Sequence, residues 1–346
     1  MPIPFILGGI AVASGLVGAA NLVSASSKRS EAEKILKSAR KDYDYARKGM
    51  EAARLATTQS LDELGETKVN AWSSVIGRWV KNFKRFKNVD VKKIPLQNVT
   101  IAGDVSANSL RNMEVASMKA TEMLQAGLGS LSAGALAGVA AYGGTMMFAT
   151  ASTGAAISGL SGVAATNATL AWLGGGSLAA GGLGMAGGAA VLGGIVLGPV
   201  LAVAGIVSSS KADETLAKAK RDAAKIDDAT AKIDALTSFL QHVQGIANQY
   251  QEFIEDFGTE CDSVNDDVRH ISRVAAKKQH LANGEQIDFA QLSEEQKDKL
   301  QFSWLMIQTM YQVLKAPLLN KNGKIDTHAQ KTLREAERTR AELLGA

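Results

Sequence analysis

Gly182, Gly184 and Gly187 spell G-x-G-x-x-G, the pattern in which backbone amides at a strand-to-helix turn hold a dinucleotide pyrophosphate. That chemistry needs a strand before the glycines and an acidic residue about twenty positions later. Here the surroundings are apolar and helical, and the next acid is Asp213. The glycines read instead as packing positions. Asn320-x-Asn322-Gly323-x-Ile325 imitates half of a calcium loop, but alignment on Gly323 places Leu318 at the first ligand position and Ala329 where a bidentate acid belongs. A turn before a helix is the better reading. His242, His270, His280 and His328 are dispersed, and no P-loop or H-E-x-x-H is present. Cys261 is the single cysteine, which excludes an intramolecular disulfide and offers no metal-ligand spacing. The sequence therefore points away from an enzyme and implies no cofactor or metal.

One polar segment does carry chemical content. Arg78, Trp79, Lys81, Phe83, Lys84, Arg85, Phe86 and Lys87, followed by Lys92 and Lys93, combine seven basic residues with three aromatics and one acid, Asp90. Aromatic rings flanked by lysines suit the headgroup zone of an anionic membrane, where each cation contributes about 1 kcal/mol. We assign these eight residues, 78 to 87, as a lipid-surface patch, and prefer lipid over nucleic acid because of the apolar sequence that follows. The same spacing also fits an amphipathic helix whose aromatics enter a bundle core while its lysines meet water.

That apolar sequence dominates the chain. From Met123 to Ser210, 88 consecutive residues contain no Asp, Glu, Lys, Arg or His, and they hold 21 of the 34 glycines. Ordinary soluble helices present a charged face to water, so a stretch like this must be buried all round, in protein or in lipid. Three segments, near Leu131–Ser152, Ala155–Leu173 and Gly188–Val207, approach the roughly twenty residues needed to cross hydrocarbon. Gly174-Gly175-Gly176 is the expected turn, and Pro199 marks a kink. Ala126, Ser130, Gly134 and Gly138 form a small-residue row, as do Ala190, Gly194, Gly198 and Ala202. Such rows let helix backbones touch in lipid. Gly134, Gly138, Gly159, Gly184, Gly188, Gly194 and Gly198 are the expected insertion and packing positions. Because Gly and Ala dilute the Leu, Ile and Val, each span is only marginally favourable in a bilayer, which suggests conditional insertion.

The flanking sequence must position this stretch. Residues 1–27 are an uncharged N-terminal helix; Lys28 and Arg29 follow its apolar part instead of preceding it, unlike a secretory signal. A membrane-seeking helix is the primary reading and a core helix the alternative. Residues 28–122 form a helical stalk, with a connector near 88–108 around Pro95 and Gly103. Leu36, Ala39, Tyr43, Ala46, Met50, Ala53 and Thr57 alternate spacings of three and four, the rhythm of a helix packed along one seam. Ser30 with Glu33 offers a capping box unless the first helix simply continues, and Gly65 leaves a break or continuity open. Residues 211–346 form a second stalk and bundle. Ala219, Ala223, Ile226, Ile233, Leu240, Val243, Tyr250 and Phe257 carry its seam; Ser293 with Gln296 caps a helix to about Lys315, and Asp326 or Thr327 caps the last. The balance is +8 over residues 28–93, with 17 basic against 9 acidic, and −3 over 211–346, with 19 against 22.

The fold class is thus all-α, with long coiled-coil-like helices flanking a Gly/Ala-rich apolar hairpin region. The run Ala149–Gly188, in which residues 164–182 read AATNATLAWLGGGSLAAGG, resembles bacterial glycine-zipper proteins, as does the opening MPIPF. The architecture is similar to α-helical pore-forming toxins of the cytolysin A type, to the translocators of bacterial injection systems and, more distantly, to apolipoprotein L. The resemblance implies a membrane-inserting protein that oligomerises with copies of itself and permeabilises a bilayer, anionic by the basic patch. It sits in a bacterial inner membrane or converts from a soluble form. The alternatives are a membrane-anchored coiled-coil scaffold or translocator whose stalks bind partner proteins, and a soluble bundle that buries the apolar stretch permanently.

Overall fold

The computed structural model describes residues 19–89, 107–127, 135–142, 212–282, 284–320 and 324–345. The protein is all-α with long helices. α1 spans Ala19–Ala71 and continues through a π-helical turn, Trp72–Ile76, into α2, Gly77–Phe83. Neither Lys28 nor Gly65 interrupts α1, so the Ser30–Glu33 pair lies inside a helix and caps nothing. α3 is Ala107–Ala126, α4 is Ala135–Tyr142, α5 is Ala212–Lys278, α6 is Glu294–Lys315 and α7 is Thr327–Leu344. β1, Phe86–Lys87, pairs in parallel with β2, Ile287–Asp288, placing Phe86 opposite Ile287.

Local chemistry explains the ends. Ser293 accepts from the Gln296 amide at 3.3 Å while the Gln296 side chain accepts from the Ser293 amide at 3.2 Å, a reciprocal capping box that starts α6. The Asp326 carboxylate accepts from the His328 amide at 2.8 Å and starts α7. α3 ends at Gly127, whose φ of +84° is the left-handed conformation that glycine adopts without steric cost.

The described residues form two compact units, one of 19–50 with 212–235 and one of the described residues within 51–194 and 236–346. In the first, Ala32, Ala39, Tyr43, Ala46 and Met50 are buried, as are Ala219, Ala223, Ile226 and Ile233 of α5. These follow the three-four spacing of the two seams, with alanines alternating with the larger Tyr43, Met50, Ile226 and Ile233. The ion pairs Lys28–Asp213 and Glu31–Lys220 rise together in number, so the helices run parallel.

In the second unit α1 and α5 are again parallel: Thr57 donates to Leu240 O at 3.0 Å, and Arg78 pairs with Asp262. The core joins Leu64, Trp72, Ile76, Trp79 and Phe83 to Tyr250, Ile254 and Phe257 of α5, and to Leu300, Trp304, Ile307 and Met310 of α6. Met113, Ala116, Ala120 and Met123 make the buried stripe of α3. At the π-turn, the Asn265 side chain donates to Val75 O at 3.1 Å. π-turns loosen the helical ladder, and here one of its carbonyls is taken by α5.

Candidate functional site

Only α4 of the charge-free stretch is a described helix in full, and its surroundings form the most distinctive site in the molecule. An isolated helix end leaves backbone N–H or C=O groups without partners inside the helix. For α4 the neighbours supply them. Asp62 Oδ1 accepts from Ala137 N at 3.0 Å near the N-terminus. Lys68 Nζ donates to Ala140 O at 3.1 Å near the C-terminus, and Ala141 O accepts from Leu318 N at 2.7 Å and Leu319 N at 2.9 Å. An acceptor at the start of a helix and a donor at its end satisfy the backbone groups that a short helix leaves without partners.

Between Asp62 and Lys68 lies Gly65. A Cβ there would sit 2.1 Å from Leu136 O and 2.5 Å from Leu136 C, both backbone atoms. Only glycine admits α4 at this distance. Asp62, Gly65 and Lys68, spaced three apart on α1, therefore form a cradle: carboxylate, bare backbone, amine. Val139, Ala140 and Ala141 are buried against it in the protein core, so this part of the first apolar segment packs against protein in the structure.

Lys68 has 0% exposure. Its amine also donates to Ala316 O at 3.1 Å and lies 5.3 Å from the centroid of the Tyr250 ring. Among the described residues no carboxylate pairs with it. Burial without a counter-ion lowers the amine from 10.5 to about 7. Burial raises the Asp62 carboxyl, opposed by the bond from Ala137. Tyr250 donates its hydroxyl to Ala329 O at 2.7 Å, and burial, with Asp326 nearby, raises its phenol well above the usual range.

The basic aromatic segment divides between core and surface. Trp79 has 0% exposure, stacks on Phe83 with centroids 4.2 Å apart, and donates to Ser303 Oγ at 3.0 Å; Phe86 is buried too. These rings belong to the core with Trp304, because their three-four spacing lines the apolar face of the helix. The cations are exposed. Arg78 pairs with Asp262, Lys84 with Glu114 at 2.6 Å, and Arg85 donates to Ser272 Oγ at 3.1 Å, which leaves Lys81 and Lys87 facing solvent without a partner among the described residues.

Of the expected packing glycines, Gly138 lies within α4. Gly134, Gly159, Gly184, Gly188, Gly194 and Gly198 lie outside the described residues, as do the Gly174–Gly176 turn, Pro199, Lys92, Lys93, most of the connector and Asn322-Gly323. Among the described residues no helix is long and apolar enough to cross a membrane. Cys261 is buried in the core, and its thiol is raised by burial and by Glu260 and Asp262.

Sequence reasoning missed Asp62 and Lys68. The signal was present: Lys68 stands between Leu64 and Trp72 in the seam, four residues from each, where a cation is out of pattern. The fold and site define a class, an all-α protein that docks the start of a charge-free Gly/Ala segment in a polar cradle. No protein family, curated protein or solved structure matches the chain.

Proposed function

We propose that this is a membrane-inserting helical protein whose Gly/Ala-rich stretch enters a bilayer and associates through its small-residue rows, permeabilising the membrane as the oligomer forms. The observation that carries the reading is the 88-residue stretch without a charge, since a span is defeated by a charge at its centre and this sequence has none to defeat it. The cradle supports a docked state preceding insertion. α4 is held by hydrogen bonds of its backbone to Asp62, Lys68, Leu318 and Leu319 and by the burial of Val139, Ala140 and Ala141 in the core. The exposed Lys81 and Lys87, with Lys84 and Arg85, bring the protein to anionic lipid, while Trp79, Phe83 and Phe86 serve folding.

The test is co-flotation of the full chain with dye-loaded vesicles of phosphatidylcholine and phosphatidylglycerol. Flotation with dye release and cross-linkable oligomers is expected. Flotation without release supports the anchored scaffold instead. Absence of flotation points to a bundle that keeps its apolar stretch buried.

A further inference from the structure

We propose that Lys68 is a proton-operated latch: the neutral amine holds α4 in its cradle, and protonation in that closed site favours release. The consequence for membrane entry rests on the function proposed above; the latch itself is a property of docking.

The geometry supplies the device. α4 brings no Asp, Glu, Lys, Arg or His to the site. Of the ionisable groups, Tyr250 of α5 faces the amine, Lys315 of α6 precedes its second acceptor, Ala316, and Asp62 lies on α1 itself at the other end of the cradle. Tyr250 presents its ring to the amine and its hydroxyl elsewhere. Lys315 lies 5.1 Å from the centroid of the Tyr311 ring and is itself lowered by burial. Protonated Lys68 thus meets two carbonyls and a ring face but no anion, a poor substitute for water around an ammonium. Once α4 leaves, the same amine reaches solvent and recovers its ordinary basicity.

The sign follows from linkage. The amine is protonated more readily in the undocked state, near 10.5, than in the docked state, near 7. Docking is therefore tightest above 10.5 and loosens as pH falls to about 7; below that, Lys68 is protonated in both states and adds no further change. Within the window the undocking constant changes about tenfold per pH unit. Burial raises the Asp62 carboxyl and the bond from Ala137 opposes that rise; the Lys68→Met variant, which keeps Asp62, isolates the part of the slope that belongs to Lys68. At neutral pH the latch sits at its loose end, poised for release.

Hydrogen exchange of the peptide covering 135–142, in the full chain without lipid and corrected for intrinsic exchange, reads the undocking constant directly. Between about pH 7.5 and 9.5 it is expected to fall about tenfold per unit in the wild type and to be flat in Lys68→Met. A flat wild-type profile, or a slope that survives Lys68→Met, overturns the latch. Should Lys68→Met fail to fold, Lys315→Met decides: a retained slope supports Lys68, and a lost slope overturns it. Co-flotation with phosphatidylglycerol vesicles at the same pH values separates the two proposals. A slope without flotation keeps the latch and defeats the membrane reading, and flotation without a slope does the reverse.

Discussion

Gly65→Ala places a methyl carbon 2.1 Å from a backbone oxygen of α4, where an ordinary contact begins near 3.4 Å. The obstruction is backbone on both sides, so no side-chain rotation relieves it and α4 must move by about 1 Å or more. The Asp62–Ala137 bond at 3.0 Å and the Lys68–Ala140 bond at 3.1 Å then stretch past hydrogen-bonding distance. Overpacking of this kind costs about 1–3 kcal/mol. Against it, replacing glycine within a helix stabilises α1 by roughly 1 kcal/mol. The two effects fall on different elements. Exchange of 135–142 should accelerate about five- to hundredfold, the range set by about 1–3 kcal/mol, while the flanking turns of α1 exchange no faster. Gly245→Ala is the matched control: it lies in α5 with nothing within 4 Å of the added carbon and should stabilise by about 0.5–1 kcal/mol. If Gly65→Ala leaves the exchange of 135–142 unchanged, or loosens α1 and α4 alike, the cradle argument is refuted.

Gln308 is fully buried and neither of its side-chain polar atoms has a partner among the described residues, so Gln308→Met should raise stability to urea by about 1–3 kcal/mol; a loss would reveal a polar network around it. Trp79→Ala should cost about 3–5 kcal/mol in the same assay, with its effect on vesicle binding explained by unfolding alone. Lys81→Gln with Lys87→Gln should weaken binding to anionic vesicles about fivefold per residue, from about 1 kcal/mol each, without altering the melting temperature; unchanged, salt-insensitive binding would remove the electrostatic role. Gly194→Leu with Gly198→Leu should preserve vesicle partitioning while reducing cross-linked oligomers, and assembly at the parent level would exclude the small-residue row as the contact.

Much of the scaffold was legible because helix periodicity is a local property. Ala39, Tyr43, Ala46, Met50 and their counterparts Ala219, Ala223, Ile226 and Ile233 lie buried where their spacing places them, and the capping residues Ser293 and Asp326 act at the positions read from the sequence. The spacing of Trp79, Phe83 and Phe86 fitted two environments equally, since lipid headgroups and a bundle core both accept rings on one helical face; only the positions of Trp304 and Ser303, more than 200 residues away, decide it. Gly65 read as a weakness in α1 because its partner, the backbone of Leu136, is 71 residues distant and leaves no trace in local pattern. Lys68 was concealed for the same reason. Its acceptors are main-chain carbonyls, which carry no residue type for a sequence to display.

Photo-activatable phospholipid incorporated into vesicles, followed by peptide mapping of the full chain, tests the central claim most directly. Labels concentrated within residues 143–210 are expected, reduced by Gly159→Arg because a charge at a span centre costs about 2.5–3.5 kcal/mol. Labels confined to the exposed cations of residues 78–87, with none in the charge-free stretch, would contradict insertion.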